Sequence, residues 1–178
     1  MNPVKNGGKF KGSNYAEFSL ILNVKYADLN IISGGQTGVD RAALEFAMEH
    51  NFNYGGFCPN GRIAEDGRIP RCYNLIEIPE SDYSYRTKLN VFQSDGTLII
   101  YNKKIKNGTY YTYKVCLQAD YPVFLIDIDL DYGNTSRLKN WINRYKINTL
   151  NIAGCRESES PYIFNRTKAL LNCIFKLQ

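Results

Sequence analysis

Short apolar runs alternate with amphipathic stretches along most of the chain, and this alternation predicts the fold. Leu29-Asn30-Ile31-Ile32 is a β-branched run that stops at Ser33-Gly34-Gly35, so a strand ends at a glycine turn. Val39, Ala43, Phe46, Ala47 and His50 then recur at helical spacing, with Thr37 or Gly38 near the helix start. Tyr54-Gly55-Gly56-Phe57-Cys58 reads as a second short strand. Residues 59–71, with two prolines, two glycines and alternating charge, read as loop. Asn74 to Ile78 predicts a third strand ended by Pro79, and Tyr83 to Phe92 a helix with Tyr85, Leu89 and Phe92 on one side. Thr97-Leu98-Ile99-Ile100-Tyr101 is the clearest strand, followed by a lysine-bearing loop and a helix from Thr109 to Ala119. A strand over 123–128, a helix over 136–145, a strand over 149–153 and a helix over 161–176 complete the series.

Strand–helix alternation from 30 to 176 predicts one Rossmann-like α/β domain, a doubly wound, mainly parallel sheet with helices on both faces. Continuous apolar strands such as 123–128 suit parallel pairing under cover from both sides. Ligands of such sheets bind beyond the carboxyl ends of the strands, at a topological switch point. Three polar, glycine-bearing loops follow predicted strands, at 33–38, 102–109 and 154–160, and are expected to converge on one edge. Residues 1–28 stand apart from the domain at 29–178. They carry Gly7, Gly8, Gly12 and four lysines with little periodicity. An extension is expected there, with a short ordered piece near Phe18-Ser19-Leu20-Ile21-Leu22 and little share in the core.

At 178 residues, 44% hydrophobic and 22% charged, the chain has the size and composition of a single globular domain. No apolar run approaches the roughly 20 residues that span a bilayer. No apolar h-region opens the chain, so a cytoplasmic location without a membrane partner is expected. The net charge of +5 suits an anionic ligand or solubility alone. Lys103, Lys104 and Lys106 form the one dense basic patch, which reads as a solvated loop. No nucleic-acid-binding motif accompanies it, so a nucleic-acid partner is not expected. Five cysteines without a C-x-x-C pair argue for free thiols over a disulfide framework or a zinc site. His50 is the only histidine, which excludes mechanisms that need two.

The loop Ser33-Gly34-Gly35-Gln36-Thr37-Gly38 carries the most suggestive chemistry. Two glycines let a backbone approach a ligand closely, and the helix start that follows offers unpaired N–H groups and partial positive charge. The hydroxyls of Ser33 and Thr37 add donors. The loop is neither a Walker A sequence nor G-x-G-x-x-G, and its spacing alone is as compatible with a tight structural turn.

The longer string Ser33-Gly34-Gly35-Gln36-Thr37-Gly38-Val39-Asp40-Arg41-Ala42-Ala43-Leu44 resembles the opening motif of the molybdenum-cofactor carrier family. That family belongs to the SLOG group of Rossmann-like nucleotide-binding domains. Further blocks follow in the same order. They are Gly55-Gly56-Phe57-Cys58-Pro59 with Gly61-Arg62 and Ala64-Glu65-Asp66-Gly67, then Tyr85-Arg86-Thr87 with Asn90-Val91 and Ser94-Asp95. Asn107-Gly108-Thr109 with Thr112, and Ala153-Gly154 with Arg156-Glu157-Ser158, complete the set. The resemblance spans roughly residues 29–175. It implies a phosphate-bearing ligand of nucleotide or molybdopterin type, and related folds often pair as homo-oligomers. The chain departs from the pattern at Asn107, where glycine is usual, at Asn60, often lysine, and at Cys155, often proline.

The candidate ligand residues are therefore Ser33 to Gly38, Arg62, Asp66, Arg86, Asn90, Gly108, Thr109, Thr112, Gly154, Arg156, Glu157 and Ser158. Arg62 and Arg156 suit a two-pronged phosphate clamp, with surface ion pairing as the alternative. Arg86 divides between ligand contact and a structural pair. Glu65 and Asp66 could accept ribose or pterin hydrogen bonds, or anchor their own loop through Arg62 and Arg68. Thr109 and Thr112 open a helix, where capping explains one of them without any ligand. Cys58 reads as a buried thiol, and Asp127, Asp129 and Asp131 as a turn-forming acidic loop rather than a cation site. Two functions follow. The first is non-catalytic binding, carriage or sequestration. The alternative is an N-glycosidic phosphoribohydrolase, with Glu157 or Asp66 as the carboxylate. Against catalysis, the chain lacks the Pro-Gly-Gly-x-Gly-Thr-x-x-Glu string of such hydrolases.

Overall fold

Described in the computed structural model are residues 28–79, 82–131 and 135–175, so the expected extension lies, but for Asp28, outside the described residues. In chain order the elements are β1 (Asn30–Ile32), α1 (Val39–Glu49), β2 (Asn53–Gly55), β3 (Phe57–Cys58), a 3₁₀ turn (Asn60–Arg62), β4 (Ile63–Ala64) and β5 (Gly67–Arg68). There follow β6 (Ile76–Glu77), α2 (Tyr83–Phe92), β7 (Gly96–Tyr101), α3 (Asn107–Gln118), β8 (Val123–Asp127), α4 (Thr135–Tyr145), β9 (Thr149–Gly154) and α5 (Ile163–Phe175). Five strands form one parallel sheet in the order β2-β1-β9-β7-β8. The expected α/β architecture is observed.

Apolar faces explain the layering. Val39, Ala43, Phe46 and Ala47 of α1 pack with Leu170, Leu171, Ile174 and Phe175 of α5 and Leu138 and Ile142 of α4, against Ile31, Leu98, Ile100, Leu150 and Ile152 of the sheet. Each such valine, leucine, isoleucine or phenylalanine side chain removed from water contributes about 1.5–3 kcal/mol. A separate cluster of Val91, Val115 and Cys116 joins α2 to α3. Helices thus fall into two packed groups, as parallel strands without a solvent face require. Among the described residues no helix is long and apolar enough to cross a membrane.

Two sequence expectations need correction. The predicted strand 54–58 breaks at Gly56, so that β2 joins the main sheet while β3 pairs with β6 in a separate two-stranded sheet. The predicted third strand therefore lies outside the main sheet. Gly56 has φ 128°, and a Cβ there would lie 2.1 Å from the Ser33 carbonyl oxygen. Past that point the Phe57 backbone is held by a side chain: its N–H donates to Asn90 Oδ1 at 2.9 Å and its carbonyl accepts from Asn90 Nδ2 at 3.0 Å. The predicted loop 59–71 contains a small hairpin, β4–β5. It is fixed to α1 by a third apolar cluster that includes Leu44, Cys58, Ile69 and Leu75.

Topology places the site. From β1 the chain leaves through α1 toward β2 at one edge, and from β7 it leaves through α3 toward β8 at the other. β9 lies between β1 and β7. The two loops diverge over its carboxyl end, which is where a doubly wound sheet opens a crevice.

Candidate functional site

A cleft of about 350 Å³ occupies that position. This is at the lower end of the range for small-molecule pockets. Ala153 and Gly154 at the end of β9 form its floor. Gln36 and Asp40 approach from one side, the first turns of α2 and α3 from another, and Arg156 and Glu159 close the rim.

Helix α3 supplies positive character. Its cap residue Lys106 is extended and provides no side-chain hydrogen bond. The N–H groups of the first turn have no intrahelical acceptor and leave a partial positive charge. The Thr112 hydroxyl donates back to the Gly108 carbonyl at 3.1 Å. Thr109 is 4% exposed, and its Oγ1 finds no hydrogen-bond partner beyond a weak contact with the Cys155 thiol. Helix α2, in contrast, is capped by Asp82, which accepts from the Ser84 N–H at 2.7 Å.

Arg86 is the half-buried cation of the cleft. Its Nη1 lies 3.4 Å from Asp40 Oδ2, and its Nε is buried without a partner. Asp40 also accepts from the Gln36 N–H at 3.3 Å. Burial pushes the Asp40 carboxyl above the ordinary range, against the opposing pull of the Arg86 guanidinium. Tyr83 stands beside both arginines, its ring centroid 5.9 Å from the Arg86 guanidinium carbon and 6.0 Å from that of Arg156. Arg156 takes part in none of the ion pairs found among the described residues.

The structure brings Gln36, Arg86, Gly108, Thr109, Thr112, Gly154 and Arg156 together at this cleft. It gives several other candidates different work. The Ser33 hydroxyl donates to the Ile152 carbonyl at 2.6 Å in the core. A Cβ on Gly34 would meet Arg86 Nη1 at 1.6 Å, and one on Gly35 would meet the Leu75 side chain at 2.6 Å. A Cβ on Gly38 would meet the Cys155 carbonyl oxygen at 2.4 Å. These glycines admit neighbouring protein groups. The start of α1 is likewise satisfied internally, with the Val39 N–H donating to the Cys155 carbonyl at 3.1 Å. Asn90, 2% exposed, is committed to Phe57.

Arg62 requires the firmest correction. It is 8% exposed, and its guanidinium donates to the carbonyls of Ile69, Leu75, Pro70 and Tyr73 at 2.8–3.2 Å. A fork so occupied organises its own loop and has little left for a phosphate. Asp66 forms a two-pronged pair with Arg41 at 2.5 and 2.7 Å, so its carboxylate is held by Arg41 and not by Arg62 or Arg68.

Thr37, Gly38, Asp66, Glu157 and Ser158 line a second, more open hollow of about 880 Å³. Its polar groups answer one another. Glu65 accepts from the Thr37 hydroxyl and from Ser158 Oγ. Burial pushes the Glu65 carboxyl up, and these hydrogen bonds more than offset it, leaving the group below the ordinary carboxylate range. Glu157 accepts from the Tyr162 and Phe164 N–H groups at 2.5 and 3.0 Å, which caps α5. Among the described residues no group of three or more histidine, cysteine or acidic side chains could hold a metal ion. The 127–131 carboxylates brace their own turn and pair with Arg166 and Arg137. Cys58 is a free buried thiol, raised by desolvation.

Asp40 and Glu159 were not signalled as cleft residues by the sequence. An acid in the first turn of a helix is ordinarily a surface group; the burial of Asp40 could be read only from its place beside the glycine loop.

The fold and the switch-point cleft define a Rossmann-like α/β protein. The model of the circularly permutated YpsA SLOG family matches residues 31–175, and the chain belongs to that family. A solved structure named "Putative molybdenum carrier protein", from Syntrophus aciditrophicus SB, is similar to this chain at 45% identity and a TM-score of 0.80, over 83% of this chain and 95% of that one. No curated protein matches the chain. The resemblance drawn from the motif blocks is thereby borne out.

Proposed function

We propose that this protein binds, and carries or sequesters, a small phosphate-bearing ligand of nucleotide or molybdopterin type in the cleft above β9. The observation that carries the reading is the union, in one cleft, of an uncapped helix N-terminus, the cations Arg86 and Arg156, and two buried polar atoms, Arg86 Nε without a partner and Thr109 Oγ1 with only a weak thiol contact. Helix N-termini and guanidinium groups both stabilise phosphate oxygens. The phosphate would lie on the first turn of α3, with Arg86 behind it and Arg156 at the rim.

The name of the similar structure, a molybdenum carrier protein, supports carriage. The residues here fit the phosphate end of a molybdopterin, whose own sulfur atoms would hold the metal, since no side-chain cluster among the described residues is suited to a bare ion. Hydrolysis is the weaker reading. The carboxylates of Asp66 and Glu157 face the second hollow and are engaged by Arg41 and by the α5 backbone. Mass spectrometry of small molecules released from the denatured purified protein tests the reading. A stoichiometric phosphate-bearing compound is expected. A protein that releases none, and binds no phosphate ester in calorimetry, would overturn it.

A further inference from the structure

One carboxylate is held against the cationic side of the cleft. Asn107 opens α3 with φ 47°, in the left-handed region that asparagine tolerates better than most residues. From there Asn107 Nδ2 donates to Glu159 Oε1 at 2.7 Å, and Glu159 Oε2 accepts from the Arg156 N–H at 3.1 Å. Both side chains line the cleft. An ionised carboxylate has roughly four acceptor positions. Two are occupied, and the rest remain available on an exposed side chain. The bridge also ties the α3 start to the loop of Arg156, so Glu159 is fixed relative to the phosphate-binding groups.

We propose that Glu159 is a specificity-determining residue of this cleft and that Asn107 positions it. The carboxylate accepts a hydrogen bond from a hydroxyl or amino group of a ligand whose phosphate lies toward Arg86 and Thr109, and it repels a second anionic group. The ligand class is then a phosphate monoester bearing donors at its other end. A compact ligand with an anionic phosphate at each end is disfavoured. This inference rests on the phosphate-binding reading above.

The test is calorimetric titration of the full chain with two probes, ribose 5-phosphate and inorganic pyrophosphate, for the unaltered protein, Glu159→Gln and Asn107→Gly. Glu159→Gln keeps the shape and removes the charge. Asn107→Gly keeps the left-handed backbone, which glycine adopts without strain, and releases the bridge, so its melting temperature should change little. The affinity ratio of ribose 5-phosphate to pyrophosphate should drop about tenfold in Glu159→Gln, the lower end for a hydrogen bond to a charged group. It should drop in the same direction, by less, in Asn107→Gly. A merely structural bridge would weaken both probes alike and leave the ratio unchanged, which would overturn the proposal. Pyrophosphate binding without ribose 5-phosphate binding would overturn it too, while leaving the phosphate reading standing. If neither probe binds the unaltered protein, both fall.

Discussion

Gly34 seats Arg86, and Gly34→Ala measures what that seat is worth. The added methyl would sit 1.6 Å from Arg86 Nη1 and 2.9 Å from Asp40 Oδ2. The guanidinium is the movable partner, since it ends a flexible chain and can swing toward the cleft. Asp40 cannot follow, being 4% exposed on the first turn of α1. The variant therefore leaves a buried carboxylate without its cation. Such a separation costs about 3–5 kcal/mol when the charge persists. Proton uptake by Asp40 limits the loss, because burial already pushes its carboxyl up. We expect about 2–3 kcal/mol at pH 7, or about 4–12 °C in Tm for a chain of this length.

The pH dependence separates this account from simple overpacking. Because the folded-state pKa of Asp40 is raised, its favourable contribution is complete below the unfolded value near 3.8 and fades as pH rises through the folded value. Arg86 opposes that rise, so displacing it moves the folded value higher and extends the fade upward in pH. The deficit of Gly34→Ala should accordingly shrink between pH 7 and pH 5. Thermal unfolding followed by circular dichroism at both pH values measures it. A deficit independent of pH would point to steric strain alone, and an unchanged Tm at pH 7 would refute the seat.

Arg156→Ala should weaken ribose 5-phosphate binding about 10- to 150-fold, the range for a hydrogen bond to a charged group, with little change in Tm; unchanged affinity in calorimetry would remove Arg156 from the site. Arg62→Lys should behave in the opposite way, because an ammonium cannot serve four carbonyls in a fork. It should cost about 2–4 kcal/mol in urea unfolding and leave the affinity of the folded protein intact. Thr109→Val removes a hydroxyl with only a weak thiol contact in the structure, so stability should hold or rise while phosphate-ester affinity falls about 2- to 10-fold; a loss of stability would show that the hydroxyl already has a strong protein partner.

Most of the main sheet was legible because β1, β7 and β8 are short apolar runs bounded by turn signals, and β7 and β8 are nearly continuous in apolar residues. The convergence of three loops followed from their shared place after successive strands of a parallel sheet. Roles within those loops were less legible. Arg62 sits among glycines, prolines and charges, a pattern that reads as exposed; the four carbonyls that surround it come from residues 69–75 and meet only after the loop folds back. Arg86 reads as one polar position of a moderately amphipathic helix, yet the absence of a Cβ at Gly34, more than fifty residues earlier, gives it a buried seat. Gly56 reads as a strand residue until the nearness of the Ser33 backbone forbids a side chain there. In each case the deciding contact reaches beyond a helical turn or a strand pair, and no local period encodes it.

The 59–75 excursion then has a definite mechanical role, although its charged residues do not enter the cleft. Glu65 donates its N–H to Gln36 Oε1 at 3.0 Å, and the same oxygen accepts from the Thr37 N–H at 3.0 Å. Gln36 is thereby fixed as a wall of the cleft. Tyr83, beside both arginines, donates its hydroxyl to the Ile63 carbonyl at 3.2 Å. Arg41 binds the Gly35 carbonyl at 3.2 Å while gripping Asp66, so the glycine turn and the excursion move as one body. A parallel sheet fixes strand ends to within a pleat but leaves the loops beyond them free. Here the loop after β1 is held from behind by hydrogen bonds to charged or polar side chains, several of them shielded from water, where such bonds are stronger than at the surface. Spending Glu65 and Asp66 on that brace keeps the glycine turn and Gln36 in place. It leaves Arg86 and Arg156 as the cations that face the cleft, one paired with a buried acid and the other outside every ion pair among the described residues.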